Sequence, residues 1–188
     1  ALRRVTPSSS GLVLLLALRG RTPGLAHHTV LFPEDYDAEF DAVFGTGRFT
    51  TPRPVADPTV YISAPDDPAL RPDDDCEAWF VLVNAPRHTP ENPRAGIDWD
   101  APGLAQSYAD RVLDVLAERG LDVRDRVLWR EVRTPADLAR RTRAVGGSIY
   151  GTSSNGARSA FLRPANASLV PGLFLVGGSA HPGGGLPL

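Results

Sequence analysis

Apolar residues gather along this chain in short runs separated by turn residues, and each run predicts a strand. The runs fall at residues 13–18, 29–32, 59–63, 79–84, 127–132, 148–150 and 173–176. A different period governs residues 104–119, where Leu104, Tyr108, Val112, Val115 and Leu116 repeat at helical spacing and share one face. Asp100 is placed to cap the start of this helix and Gly120 to end it. A second helix opens at Thr134, with Pro135 at its first position and Asp137 at its third, and Arg140, Arg141 and Arg143 suit the dipole at its end. Pro33-Glu34-Asp35-Tyr36 opens a third, short helix in which Tyr36, Phe40 and Phe44 recur every four residues. Such a stripe is read either as core or as one wall of an apolar ligand tunnel. The Pro-rich and charged stretches 51–58, 65–75 and 86–93 read as surface connections. The pattern as a whole predicts an α+β protein, with a mainly antiparallel sheet, a few helices and a final strand belonging to another sheet.

Composition narrows this picture. With 188 residues, 42% hydrophobic and 22% charged, the chain can bury a sizeable core. A net charge of −2 offers no basic footprint, which argues against nucleic acid as a partner. The single cysteine, Cys76, precludes an internal disulfide and suits a reducing, cytoplasmic setting. Arg3 and Arg4 before the apolar run 11–18 outline a signal peptide and, with it, a secreted structural domain. The run is short, and Arg19 and Arg21 crowd its end, so a buried strand is the preferred reading. The first strand is followed by no G-x-G-x-x-G, the usual mark of a self-sufficient dinucleotide domain.

Few residues announce chemistry. His27 and His28 are adjacent, so an extended backbone puts them on opposite sides and a structural role is expected. Asp73-Asp74-Asp75 lacks the spaced ligands and the glycine of a calcium loop. Ser8-Ser9-Ser10 has no G-x-S-x-G elbow around it. His181 lies within a glycine-rich turn and has no nearby nucleophile to serve. That turn, which begins at Gly177 and Gly178 and continues through Gly183, Gly184 and Gly185, follows the last apolar run. Glycines there let backbone amides approach a large ligand closely, because no Cβ intervenes and positive φ is open to them.

Residues 27–32, Asp35-Tyr36 with Glu39-Phe40, and residues 57–61, 79–87, 133–138, 146–151, 163–166 and 172–185 together resemble, in order, the phytoene desaturase family of flavoproteins. The paired histidines and Ser154-Asn155-Gly156 look most like its hydroxycarotenoid 3,4-desaturase branch. The resemblance covers nearly the whole chain and corresponds to the C-terminal portion of the family pattern.

It implies a flavin amine-oxidase-like fold, in which residues 1–160 form the substrate domain and residues 161–188 a piece of a Rossmann-type FAD domain. On this resemblance Gly177, Gly178, Ser179, Gly183, Gly184, Gly185 and Leu186 line FAD. The substrate is an apolar polyene touching Tyr36, Phe40 and Phe44, and the reaction adds a carbon–carbon double bond by hydride transfer to the flavin. The flavin-binding N-terminal half of the pattern has no counterpart in these residues. The chain alone is therefore expected to hold FAD weakly, to desaturate nothing and to self-associate through apolar surface. Peripheral contact with the inner membrane face is a further expectation, since such substrates live in lipid. The competing reading is a carotenoid- or lipid-binding module without redox activity.

Overall fold

The computed structural model describes residues 7–71, 73–153 and 165–181. Five strands, β1 (Ser10–Arg19), β2 (His28–Leu31), β3 (Val60–Ser63), β4 (Cys76–Ala85) and β5 (Val127–Arg133), form one sheet in the order β2-β3-β4-β1-β5. Every neighbouring pair is antiparallel. Three α-helices accompany it: α1 (Tyr36–Phe44), α2 (Leu104–Glu118) and α3 (Pro135–Thr142). The α+β expectation holds at this level.

β1 occupies an interior position, between β4 and β5, and its continuous apolar run leaves both faces of the strand to be covered. Its even-numbered residues Leu12, Leu14, Leu16 and Leu18 pair across to Val83, Val81, Trp79 and Glu77, so these side chains share one face of the sheet. α2 lies on that face and buries Tyr108, Ala109, Val112, Leu113, Val115 and Leu116 there. Trp99 closes the end of this core, where its indole N–H donates to the Pro86 carbonyl at 2.7 Å and its ring tilts against Tyr108. Arg119, just past α2, donates to the carbonyls of Leu31 and Pro58 and pairs with Asp57, tying the helix end to the β2–β3 side. Cys76 is free and buried at the start of β4.

α3 has the capping box that its sequence predicts. The Thr134 hydroxyl oxygen accepts from the Asp137 amide at 3.2 Å, and the Asp137 carboxylate accepts from the Thr134 amide at 2.9 Å. Burial works against the charge on Asp137, but the Thr134 amide and the Arg140 guanidinium outweigh it and hold this carboxyl below its ordinary 3.8. The folded value is the lower one, so this stabilisation is complete above the unfolded value and drains away as pH falls through the folded one. Thr134→Ala is expected to cost about 1 kcal/mol. Urea midpoints should show that deficit at pH 7 and a smaller one at acid pH; an equal deficit at both would refute the cap's ionic part.

Four expectations are corrected. Asp100 does not cap α2: Gly103, at φ 78°, is the capping residue without a side-chain bond, and Asp100 instead receives Arg140 at 2.8 and 3.0 Å. Gly120 does end the helix, at φ 85°. Residues 148–150 are no strand, because the left-handed glycines 146 and 147 turn the chain just before them. They run beside the start of β1 through bonds from the Ile149 amide to the Ser9 carbonyl and from the Ser8 amide to the Gly151 carbonyl. Residues 173–176 form no regular strand among the described residues either. They fold back on their own predecessors, with a single bridge between Ala167 and Phe174 and a 2.7 Å bond from the Leu175 amide to the Asn166 carbonyl. The histidine pair is the fourth: His27 lies outside β2, so its ring is free to swing onto that of His28, with centroids 4.3 Å apart.

Candidate functional site: the outer face of the sheet

The face of the sheet turned away from α2 is also apolar. Register places Val13, Leu15 and Ala17 of β1 beside Leu82, Phe80 and Ala78 of β4. Leu82 and Phe80 in turn stand beside Tyr61 and Ser63 of β3, which face Val30 and His28 of β2. On the other side Trp129 of β5 pairs with Ala17. Large side chains here are open: Val30 is 45% exposed, Phe80 38% and Trp129 52%. Five strands at roughly 4.8 Å spacing give a wall roughly 20 Å across. An open apolar surface of this kind marks a site where a ligand, a membrane or another protein surface packs.

Two polar margins border the wall. On the β5 side Arg133 donates to Glu131 at 2.6 Å. On the β2 side a row of rings runs inward from the edge, with His28 stacked on Tyr61 at 5.9 Å and Tyr61 edge-on to Phe80 at 6.4 Å. The His28 Nδ1 and the Tyr61 hydroxyl are hydrogen bonded at 2.7 Å.

One end of the wall is covered by α1, and a buried carboxylate holds it there. Glu39 is 1% exposed. Its oxygens accept from the Thr59 amide at 3.0 Å, the Thr59 hydroxyl at 2.5 Å and the Asn84 side-chain amide at 2.9 Å. Asn84 pairs with Gly11 and so projects on the outer side of the sheet, which puts α1 over the end where β1 begins and β4 finishes. Asp35 starts the helix by accepting from the Ala38 amide, and Gly45, at φ 66°, stops it.

The predicted aromatic stripe divides here. Phe32, Tyr36 and Phe40 meet edge-to-face at 6.0 and 5.1 Å, with Tyr36 49% exposed. Phe44 is on a different side of the helix and packs with Val43, Val55 and Phe49. It borders a cavity of about 390 Å³ whose other lining includes Arg87 and Arg94, which is no apolar tunnel. The cause is angular: a four-residue step overshoots a 3.6-residue turn, so a long i, i+4 series drifts around the helix.

The described part of the glycine-rich turn comprises Gly177, Gly178 and Ser179. Gly183, Gly184, Gly185 and Leu186 lie outside the described residues. Gly177 adopts φ 106°, a conformation suited to glycine, and a Cβ there would meet nothing within 4 Å. The turn is held by the Ala180 amide bonding back to the Gly177 carbonyl and by the Asn166 side-chain Nδ2 donating to the His181 carbonyl at 2.8 Å. Ser179 packs against Gly151 so closely that a Cβ on Gly151 would stand 2.7 Å from the serine Oγ. Glycine geometry and open space before Gly177 fit the close approach of a large group.

His88 with Asp98 and Asp100 is the one cluster among the described residues with metal-ligand spacing. Its atoms are already engaged: His88 Nδ1 accepts from the Trp99 amide at 3.2 Å, and Asp100 is paired with Arg140. We assign it to holding the loop before α2 against α3. No helix among the described residues is long and apolar enough to cross a membrane.

Fold and wall thus define an α+β unit with one buried face, one open apolar face and a glycine turn at its margin. Sequence comparison gives the unit its kinship. The chain is 35% identical over 189 residues to a 1-hydroxycarotenoid 3,4-desaturase of Flavobacterium sp. (strain P99-3), covering 96% of this chain and 35% of that protein. It is 35% identical over 191 residues to a 4,4'-diapolycopene oxygenase of Methylomonas sp, covering all of this chain and 36% of the other. A zeta-carotene-forming phytoene desaturase of Myxococcus xanthus matches at 35% over 187 residues, 96% of this chain and 33% of the relative. No family-level profile matches the chain. The chain belongs to the carotenoid desaturase family, and it spans about a third of the length of the curated relatives it matches.

Proposed function

We propose that this chain is the polyene-binding part of an FAD-dependent carotenoid desaturase, and that its outer sheet face is the wall along which the substrate lies. The observation that supports this most is the open row of Val30, Tyr61, Phe80, Leu82 and Leu15, a flat apolar strip matched to a rigid, apolar rod. Tyr36 and Phe40, held by Glu39 at the end of the strip, extend the wall; Phe44 contributes to helix packing. Residues 1–160 would form the substrate domain and residues 161–188 part of the cofactor domain.

In this reading Gly177, Gly178 and Ser179, together with Gly183, Gly184, Gly185 and Leu186, line FAD, and the positive φ of Gly177 supports that assignment. When bound, FAD supplies hydride acceptance at its N5 as the neighbouring carbon loses a proton, leaving a new double bond. The residues of this chain bind and align the polyene, and they exclude water from it.

The purified chain is expected to take up a hydrocarbon polyene from detergent micelles, with quenching of its tryptophan emission. It is expected to retain no flavin and to produce no red shift in polyene absorbance, the mark of added conjugation. Joined to the flavin-binding part of one of the named desaturases, it should restore that shift. Stoichiometric flavin absorbance in the isolated chain, or polyene uptake that is undetectable, would overturn the reading. Retention of polyene with no shift even in the joined protein would favour the carrier alternative. Substrates of this kind reside in lipid, so peripheral membrane contact through the same face belongs to the proposal.

A further inference from the structure

The His28–Tyr61 pair gives the apolar wall one polar, adaptable point. We infer that it is a specificity element that receives a hydroxyl group at one end of the polyene; this rests on the reading of the outer face as the polyene wall. Three observations lead there. First, the pair shares its face with Val30, Phe80, Leu82 and Leu15 by register, so a rod lying along the apolar row meets it near the β2 edge. Second, the rings are stacked and continue inward to Phe80, which makes the polar atoms part of the wall itself. Third, the 2.7 Å bond joins a phenol to an imidazole nitrogen, and either group can be the donor.

That last property selects the ligand chemistry. If the phenol donates to Nδ1, the exposed Nε2 carries a proton and donates, while the phenol oxygen still accepts. If Nδ1 donates to the phenol oxygen, the phenol proton is free to donate and Nε2 accepts. Both arrangements offer one donor and one acceptor side by side. A hydroxyl needs both, and a hydrocarbon end uses neither and leaves the pair to be desolvated without return. Ser63, which pairs with His28 on the same face, adds a second hydroxyl at this margin.

The test compares a monohydroxylated polyene with the hydrocarbon of the same skeleton, both in detergent micelles, by quenching of tryptophan emission in the purified chain. The wild type should bind the hydroxylated compound roughly 3- to 10-fold more tightly, the scale of one net hydrogen bond. Tyr61→Phe keeps the ring and removes the hydroxyl, and it should bring the two affinities together chiefly by weakening the hydroxylated ligand. His28→Phe should do the same, so the result does not depend on one variant folding. Phe80→Ala should weaken both ligands alike. Equal wild-type affinities, or a preference that survives both His28→Phe and Tyr61→Phe, overturn the specificity element and leave the wall intact. Binding of neither compound overturns the wall and the element together.

Discussion

An aspartate at Val81 is expected to unfold the chain, whereas an aspartate one residue earlier, at Phe80, leaves it folded and abolishes polyene uptake. The two side chains leave the same strand in opposite directions. Val81 is 1% exposed, in the core between Leu14, Ile62 and α2. Val81→Asp forfeits about 1.5–3 kcal/mol of burial and adds an unpaired buried carboxylate worth several more. That sum approaches the whole stability of an ordinary domain, about 5–15 kcal/mol. Phe80, in contrast, is 38% exposed on the outer face, where a carboxylate keeps much of its water. Its effect falls on whatever lies against the wall. Circular dichroism separates the fates of the two variants, and emission quenching by a hydrocarbon polyene reads the second. Light scattering should also show less self-association for Phe80→Asp than for the wild type. A folded Val81→Asp, or undiminished uptake by Phe80→Asp, would show that the two faces have been misassigned.

Removing the carboxylate at Glu39 is the other severe change. Glu39→Ala strands the half-buried Thr59 amide and Asn84 side chain, and each unsatisfied group costs up to about 1–3 kcal/mol, less where water reaches it. Because those two bonds tie α1 to β3 and β4, the loss is also local: the helix should detach from the sheet end before the rest unfolds. Glu39→Gln should not rescue it fully, since its NH2 group puts a further donor into a site that has three already. Hydrogen exchange is the measurement. Accelerated exchange of α1 amides in both variants, with α2 slow in Glu39→Gln, is the expected pattern; uniform protection across α1 and α2 in Glu39→Gln would sink it.

Much of the fold was legible because two periods carry it. The helical spacing of Tyr108, Val112, Val115 and Leu116 foretells α2 and its buried face, and Thr134 with Pro135 and Asp137 foretells the start of α3. The apolar runs locate β1 to β5, though not their order, which depends on pairing between residues far apart in the chain. The run at residues 173–176 misleads for the same reason: apolar residues favour extended backbone without saying which partner they find. The outer wall was harder still. It exists only as rows across strands, and no single strand displays it. One signal was available, since a strand apolar at both odd and even positions, as β1 is, has two faces to cover. Glu39 left no such signal: an acid in the first turn of a helix suits the dipole, and its partners are 20 and 45 residues away.

The interior place of β1 also sets the pace of folding. The strand precedes both of its partners in the chain, which begin only at Cys76 and Val127. Until both arrive, eight consecutive residues from Gly11 to Leu18 without a charge wait unpaired, a segment able to join its like in another molecule. Closing such long loops is slow. Recovery on refolding should therefore fall with protein concentration, and low temperature and dilution should govern how much of this chain reaches its native form.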